Sequence, residues 1–220
     1  MSIGAYTAER AAALSGVPKS TLHWWARNDI LVPSVSPTKV RLWSHSDLLA
    51  LRVIYWLRQK KTAETGVEVP SSSMPAVRRA LRELQSLSIP LWRDDRPSVL
   101  VDTKGQIHID AKAGVETLTG QLVAPETLDL IAPFTTIEGS TGPDLLRPRP
   151  LLRIVPGKLG GSPHVDHTRL ETLALASLRA DGLTAAAIRE LYPYLEEQQI
   201  IEALDLEEQL ARNLTIAAAA

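Results

Sequence analysis

Four side chains near the amino end share one face of a helix: Lys19, Ser20, His23 and Arg27. At about 100° of rotation per residue they fall within roughly one quadrant. Leu22 and Trp25 point the opposite way, and Trp24 flanks the polar stripe. Donors on one edge and apolar anchors behind it are what reading duplex DNA requires. Lys19 and Arg27 suit phosphates or guanine O6/N7, Ser20 and Thr21 suit a phosphate near the helix start, and His23 suits a base edge. Farther on, Lys39 and Arg41 lie in a segment able to reach the adjacent backbone.

The surrounding punctuation supplies the scaffold. Thr7 is placed to cap a helix over 8–15, and Gly16 ends it in a tight turn. The polar-edged helix follows over about 19–28. Pro33 and Pro37 bracket a loop, after which Val40 and Leu42 alternate with Arg41 and Trp43 as in a short strand. Ser44 or Ser46 then caps a third helix over about 48–59. An amphipathic helix alone is more often just a solvated surface. The preceding helix, glycine turn and basic ribbon shift the balance to a winged helix-turn-helix.

Charge is distributed to match. Residues 1–61 hold nine Lys/Arg against three acids, whereas 151–220 hold six against ten, within a chain of 220 residues and net charge −1. Only the head is suited to a polyanion. With 45% hydrophobic and 22% charged residues the chain reads as globular. It contains no cysteine, which removes disulfides and thiolate metal sites. No apolar run of membrane length and no signal peptide is seen, so a cytoplasmic protein without membrane association is expected.

Beyond the head, 75–87 repeats Val77, Leu81 and Leu84 at helical spacing. Short β-like runs follow at 91–92, 99–101 and 107–109, with Lys104–Gly105 as a turn between the last two, and 121–131 reads as a return to helix. Between Pro133 and Pro163 lie six of the fifteen prolines and five glycines, the first part of which reads as a connector. Three helical patterns close the chain. The first has a stripe of Leu170, Leu173, Ala174, Ser177 and Leu178; the second is capped by Thr184 with Ile188 and Leu191 inward; the third starts near Ile200 and runs to about Leu214. The expected fold is mainly α with a minor α+β region. Its parts are a winged helix-turn-helix (1–61), a central α+β region (62–133), a Pro/Gly linker (134–151), a trihelical domain (152–214) and a frayed tail (215–220).

Two resemblances add to this. Tyr6-Thr7, Ala12, Leu14-Ser15-Gly16-Val17, Ser20-Thr21-Leu22-His23-Trp24-Trp25, Asn28-Asp29-Ile30-Leu31, Pro33, Leu42-Trp43-Ser44 and Asp47-Leu48 resemble the winged helix of MerR-type regulators. His23 stands where that family usually carries arginine, and no long coiled-coil helix follows. Val155-Pro156-Gly157-Lys158-Leu159-Gly160-Gly161-Ser162-Pro163, Thr168-Arg169-Leu170 and Asp181-Gly182-Leu183-Thr184 through Tyr192-Pro193 are similar to a trihelical domain of bacterial toxin–antitoxin loci. There His167 replaces a glycine and Leu170 an isoleucine. Together the two resemble the larger antitoxins of VapBC-type modules. That resemblance implies an antitoxin that binds double-stranded operator DNA, represses its own operon and neutralises a PIN-domain ribonuclease by non-covalent association. A homodimer on paired half-sites is expected.

Toxin-facing candidates are Arg169 and a stripe of Ile201, Leu204, Leu210 and Leu214. Capping of its own turn is the more ordinary role for Arg169. His164 and His167 flank Asp166 without a further ligand cluster, so no metal is expected. Asp94, Asp95, Asp102 and Asp110 sit beside turns, with no lysine or histidine at a spacing recognisable as a nuclease pattern. No phosphate-binding loop, dinucleotide fingerprint or nucleophile elbow occurs, so neither a cofactor nor catalysis is expected. The alternatives are a MerR-like ligand-responsive transcriptional regulator, a nuclease using the central acids, and an adaptor whose winged helix no longer meets DNA.

Overall fold

A computed structural model describes residues 4–62, 68–87, 92–93, 96–97, 99–109, 122–123, 133–136 and 139–219. Mainly α architecture with small antiparallel sheets is what it shows. The chain divides into two compact units, Met1–Leu48 with Ile131–Ala220, and Leu49–Leu130.

In the first unit, strand β1 (Tyr6–Thr7) leads into α1 (Ala8–Ser15). Thr7 Oγ1 accepts from Arg10 N–H, satisfying one of the donors a helix start leaves open. Gly16 leaves α1 at φ 78°, a left-handed step that costs glycine little. Helix α2 (Lys19–Arg27) follows with Leu22, Trp25 and Ala26 buried. β2 (Leu42–Trp43) pairs antiparallel with β1, Trp43 opposite Tyr6. The inward residue of this ribbon is Trp43, wholly buried, while Val40 is 69% exposed.

Helix α3 (His45–Leu57) begins in this unit, earlier than its apolar pattern suggested. Ser44 N–H donates to Asp47 Oδ2 at 2.7 Å and Asp47 N–H returns to Ser44 Oγ at 3.1 Å, a reciprocal cap. Ser34 N–H also donates to Asp47 Oδ2, at 2.9 Å, which ties the base of the wing to the helix start.

The second unit continues α3 and adds two hairpins, β3 (Lys61–Thr62) with β4 (Glu68–Val69) and β5 (Trp92–Arg93) with β6 (Arg96–Pro97). Helix α4 (Met74–Ser86), capped by Ser73, buries Val77, Ala80 and Leu84. It packs on a sheet of β7 (Val99–Asp102), β8 (Ile107–Ile109) and β9 (Leu122–Val123), ordered β8-β7-β9. The helix expected over 121–131 is therefore strand at 122–123, held by ladder bonds to Val101 and Asp102. The rest of that stretch lies outside the described residues.

Back in the first unit, β10 (Phe134–Thr135) pairs with β11 (Thr141–Gly142), and β12 (Leu152–Arg153) with β13 (His164–Val165). Three helices follow: α5 (Thr172–Ala180), α6 (Ala185–Leu191) and α7 (Glu197–Ala219). α7 packs against α5, α6, α1 and α2, so the head and the C-terminal helices share one core. Its inward row is Ile200, Ala203, Leu206, Glu207, Leu210 and Asn213. The tail expected to fray from 215 is helical through Ala219, in keeping with the high helix propensity of alanine.

Polar contacts fix this packing. Arg10 grips Glu207 with both terminal nitrogens, each at 2.7 Å, and the Thr172 hydroxyl donates to the same carboxylate. Asn213 Nδ2 donates to Ala13 O at 2.9 Å and Thr141 O at 2.8 Å, while its Oδ1 accepts from Thr141 N–H at 2.9 Å. The Tyr6 hydroxyl donates to Gly161 O at 2.9 Å. A Cβ on Gly161 would lie 2.1 Å from Tyr6 Oη, so glycine is required for this approach. The stretch 134–151, read as a linker, is thus built into the unit: Thr136, Ser140, Gly142, Leu145 and Pro148 are buried. Proline and glycine forbid long regular elements there, but side chains of α7 satisfy the backbone groups.

Two apolar assignments in the C-terminal helices are corrected. On α5 the buried residues are Thr172 and Leu175, whereas Leu173 is 50% exposed and Ala174 and Ser177 face solvent. On α6 only Ile188 is buried, and Leu191 is 57% exposed. The long α7 receives one narrow row from each short helix, which decides the inward face more strongly than residue type does.

Candidate nucleic-acid interface

Leu22 and Trp25 are nearly or wholly buried, at 0% and 3% exposure, and pin α2 from behind. Ser20, Trp24 and Arg27 are exposed along its outer edge, with Thr21 and His23 half-buried. The wing is a hairpin closed by reciprocal backbone bonds between Ser36 and Leu42, at 3.1 and 3.0 Å. Its tip holds Lys39 at φ 51°, exposed, and Arg41 returns toward α2.

Between wing and helix runs an open groove of about 600 Å³, lined by Thr7, Glu9, Lys19, His23, Lys39 and Arg41 among others. Arg41 Nη1 lies 3.5 Å from His23 Nδ1. Because guanidinium only donates, Nδ1 is the acceptor and the neutral ring carries its proton on Nε2. Partial burial, then the nearby Arg41, Lys19 and Arg27, hold the His23 pKa below the ordinary histidine value. His23 is therefore a neutral donor at physiological pH, whereas Lys39 and Arg41 are cations. On the opposite wall Lys19 Nζ sits 2.5 Å from Glu9 Oε1.

Of the eight residues singled out, Lys19, His23, Lys39 and Arg41 line the groove, and Ser20, Trp24 and Arg27 face outward on α2. Thr21, half-buried, does not line it. Thr7 and Glu9 join the groove without having been singled out, because sequence shows Glu9 only as a first-turn acid on α1. Its neighbour across the groove is set by how α1 and α2 cross.

The C-terminal candidates scatter. Leu210 is buried at 2% exposure in the core, Leu204 and Leu214 are half-buried, and Ile201 is 46% exposed. The four do not make one exposed stripe, since α7 turns its i, i+3, i+7 row to its neighbours. Arg169 is exposed and makes no hydrogen bond or ion pair among the described residues. The turn it was expected to cap is closed by Thr168, whose hydroxyl donates to Val165 O at 2.9 Å. His167 occupies that turn at φ 59°, in the left-handed region.

Other clusters have local roles. His164 is buried, its Nδ1 3.1 Å from Ser162 O, and burial lowers its pKa despite that carbonyl. Asp102 Oδ1 accepts from the Lys104 and Gln106 N–H groups at 2.9 and 2.8 Å, closing the Lys104–Gly105 turn. Asp94, Asp95 and Asp110 lie outside the described residues. Among the described residues, no group of three or more His, Asp or Glu is placed to hold a metal ion. Nor is any of the described helices long and apolar enough to cross a membrane.

Comparison with known proteins finds a family match at each end of the chain. Residues 6–63 match the family described as "MerR HTH family regulatory protein". Residues 153–206 match the family described as "Protein of unknown function (DUF433)". No curated protein and no solved structure matches the chain. The first match covers β1 through the wing and α3, and points to a DNA-binding regulator. The chain carries a MerR-family helix-turn-helix domain at its amino end and a DUF433 domain at its carboxyl end.

Proposed function

We propose that this protein is a sequence-specific DNA-binding transcription regulator in which α2 enters the major groove and the wing follows the flanking backbone. The observation that carries the reading is the groove between α2 and the wing, where Lys19, His23, Lys39 and Arg41 converge above a buried Leu22–Trp25 anchor. Phosphate contacts from the cations supply salt-dependent affinity, and α2 supplies base contacts. A homodimer on paired half-sites multiplies the modest affinity of one module. Selection from a random duplex pool by the full chain tests it. A recurring motif is expected, and selection without enrichment overturns the reading.

We further propose that the regulator is an antitoxin that neutralises a PIN-domain ribonuclease without covalent chemistry. Support comes from the similarity of the C-terminal segment to a domain of toxin–antitoxin loci. A second support is the exposure of Leu173 on α5, Leu191 at the end of α6, Tyr194 in the turn that follows and Ile201 on α7, since apolar side chains left in solvent mark binding surfaces. Co-expression with the adjacent open reading frame is the test: a toxic neighbour, rescued and co-purified by this chain, is expected. A harmless neighbour, together with operator affinity that changes with a metabolite, favours the ligand-responsive regulator instead.

A further inference from the structure

Of the residues that line the groove, Glu9 is the one acid, beside the cations Lys19, Lys39 and Arg41. Glu9, on the first turn of α1, places Oε1 2.5 Å from Lys19 Nζ at the start of α2. The Glu9 side chain is 64% exposed and that of Lys19 43%. A pair so exposed contributes little to folding, because water screens it and two long side chains lose freedom. A first-turn carboxylate does favour the helix dipole, but that benefit needs no partner on another helix. Folding therefore leaves the contact unexplained.

Its electrostatic consequence falls on the groove. A free lysine there would neutralise a phosphate and release a counterion on any duplex, whatever its sequence. Paired with Glu9, the Lys19 ammonium is already neutralised, and the carboxylate repels a phosphodiester that enters. The ammonium still has three N–H groups and spends one on Glu9, so two remain for acceptors such as guanine O6 and N7. The paired group reads a base edge and gains nothing from backbone alone. The other cations of the groove have no such restraint: Lys39 stands in solvent, and Arg41 faces the neutral His23.

We propose that Glu9 is a specificity-determining residue, holding Lys19 away from the phosphate backbone so that the groove discriminates operator from other DNA. The proposal rests on the reading of this groove as a DNA interface.

Fluorescence anisotropy on the full chain tests it with two probes, a mixed-sequence 24-base-pair duplex and a duplex selected by the wild-type chain from a random pool. Glu9→Gln is expected to tighten binding to the mixed-sequence duplex by about threefold or more and to steepen the slope of log affinity against log salt by about 0.9. The ratio of selected to mixed-sequence affinity falls with it. Both changes vanish when Lys19→Gln is also present, since no ammonium is left to release. Unaltered binding of Glu9→Gln to the mixed-sequence duplex overturns the proposal while leaving the DNA reading intact. So does a gain that survives in the Lys19→Gln background, which marks a bulk charge effect. A wild-type chain that binds neither duplex sinks both.

Discussion

Arg10 on α1 and Glu207 on α7 form a two-pronged ion pair across 197 residues of sequence, each prong 2.7 Å long. Glu207 is 8% exposed and its carboxylate also accepts from Thr172 on α5. One buried acid thus joins α1 of the winged head to α5 and α7, one residue past the segment that the DUF433 family matches.

Removing either partner strands the other in a low-dielectric site. Arg10→Ala and Glu207→Gln are each expected to destabilise the fold by about 3 kcal/mol, read from urea midpoints. The double change Arg10→Met with Glu207→Leu is expected to cost less than either single change, because no unpaired charge remains. Single variants within about 0.5 kcal/mol of wild type would falsify the view that this pair organises the core.

Arg27 and Lys39 face solvent and make no side-chain hydrogen bond or ion pair among the described residues. Replacing either with alanine is expected to weaken duplex binding and to flatten the salt slope by about 0.9 per residue. Unfolding midpoints should stay at the wild-type value. A salt titration of affinity decides it; unchanged slopes in both variants count against backbone contact by α2 and the wing.

His167 holds φ 59° in the turn before Thr168. Histidine tolerates this region better than β-branched residues do. His167→Gly is therefore expected to leave stability within about 1 kcal/mol of wild type. His167→Val is expected to lose more than about 1 kcal/mol. Equal midpoints for the two variants would show that the turn relaxes out of the left-handed region.

His164 and His23 both have pKa values below the ordinary histidine value, chiefly through burial. In the window between the folded values and the unfolded value of about 6.5, the unfolded chain binds more protons. Stability is thus complete above that unfolded value and falls as pH drops through the window. Urea midpoints from pH 8 to 5 should show the decline, and His164→Gln should reduce it without abolishing it, since His23 acts with the same sign. A decline of wild-type size in that variant removes His164 as a cause.

Sequence alone determined the local elements, because their signals are local. Thr7 and Gly16 bracket α1, and Lys104–Gly105 turns β7 into β8, through atoms within four residues of each other. For α3, however, the pattern offers two caps, Ser44 and Ser46, and the Ser44–Asp47 pair decides between them. The anchors Leu22 and Trp25 were legible for the same reason, as helical spacing fixes which side chains share a face. Tertiary structure decided what one helix's pattern leaves open. Leu173 and Leu191 have the residue type of a core and yet lie in solvent, while Thr172 and Glu207 are buried because α1, α5 and α7 meet there with the hydrogen bonds that make burial tolerable. The groove followed the same rule: α2 announced its own edge, but Glu9 entered only once α1 and α2 had crossed.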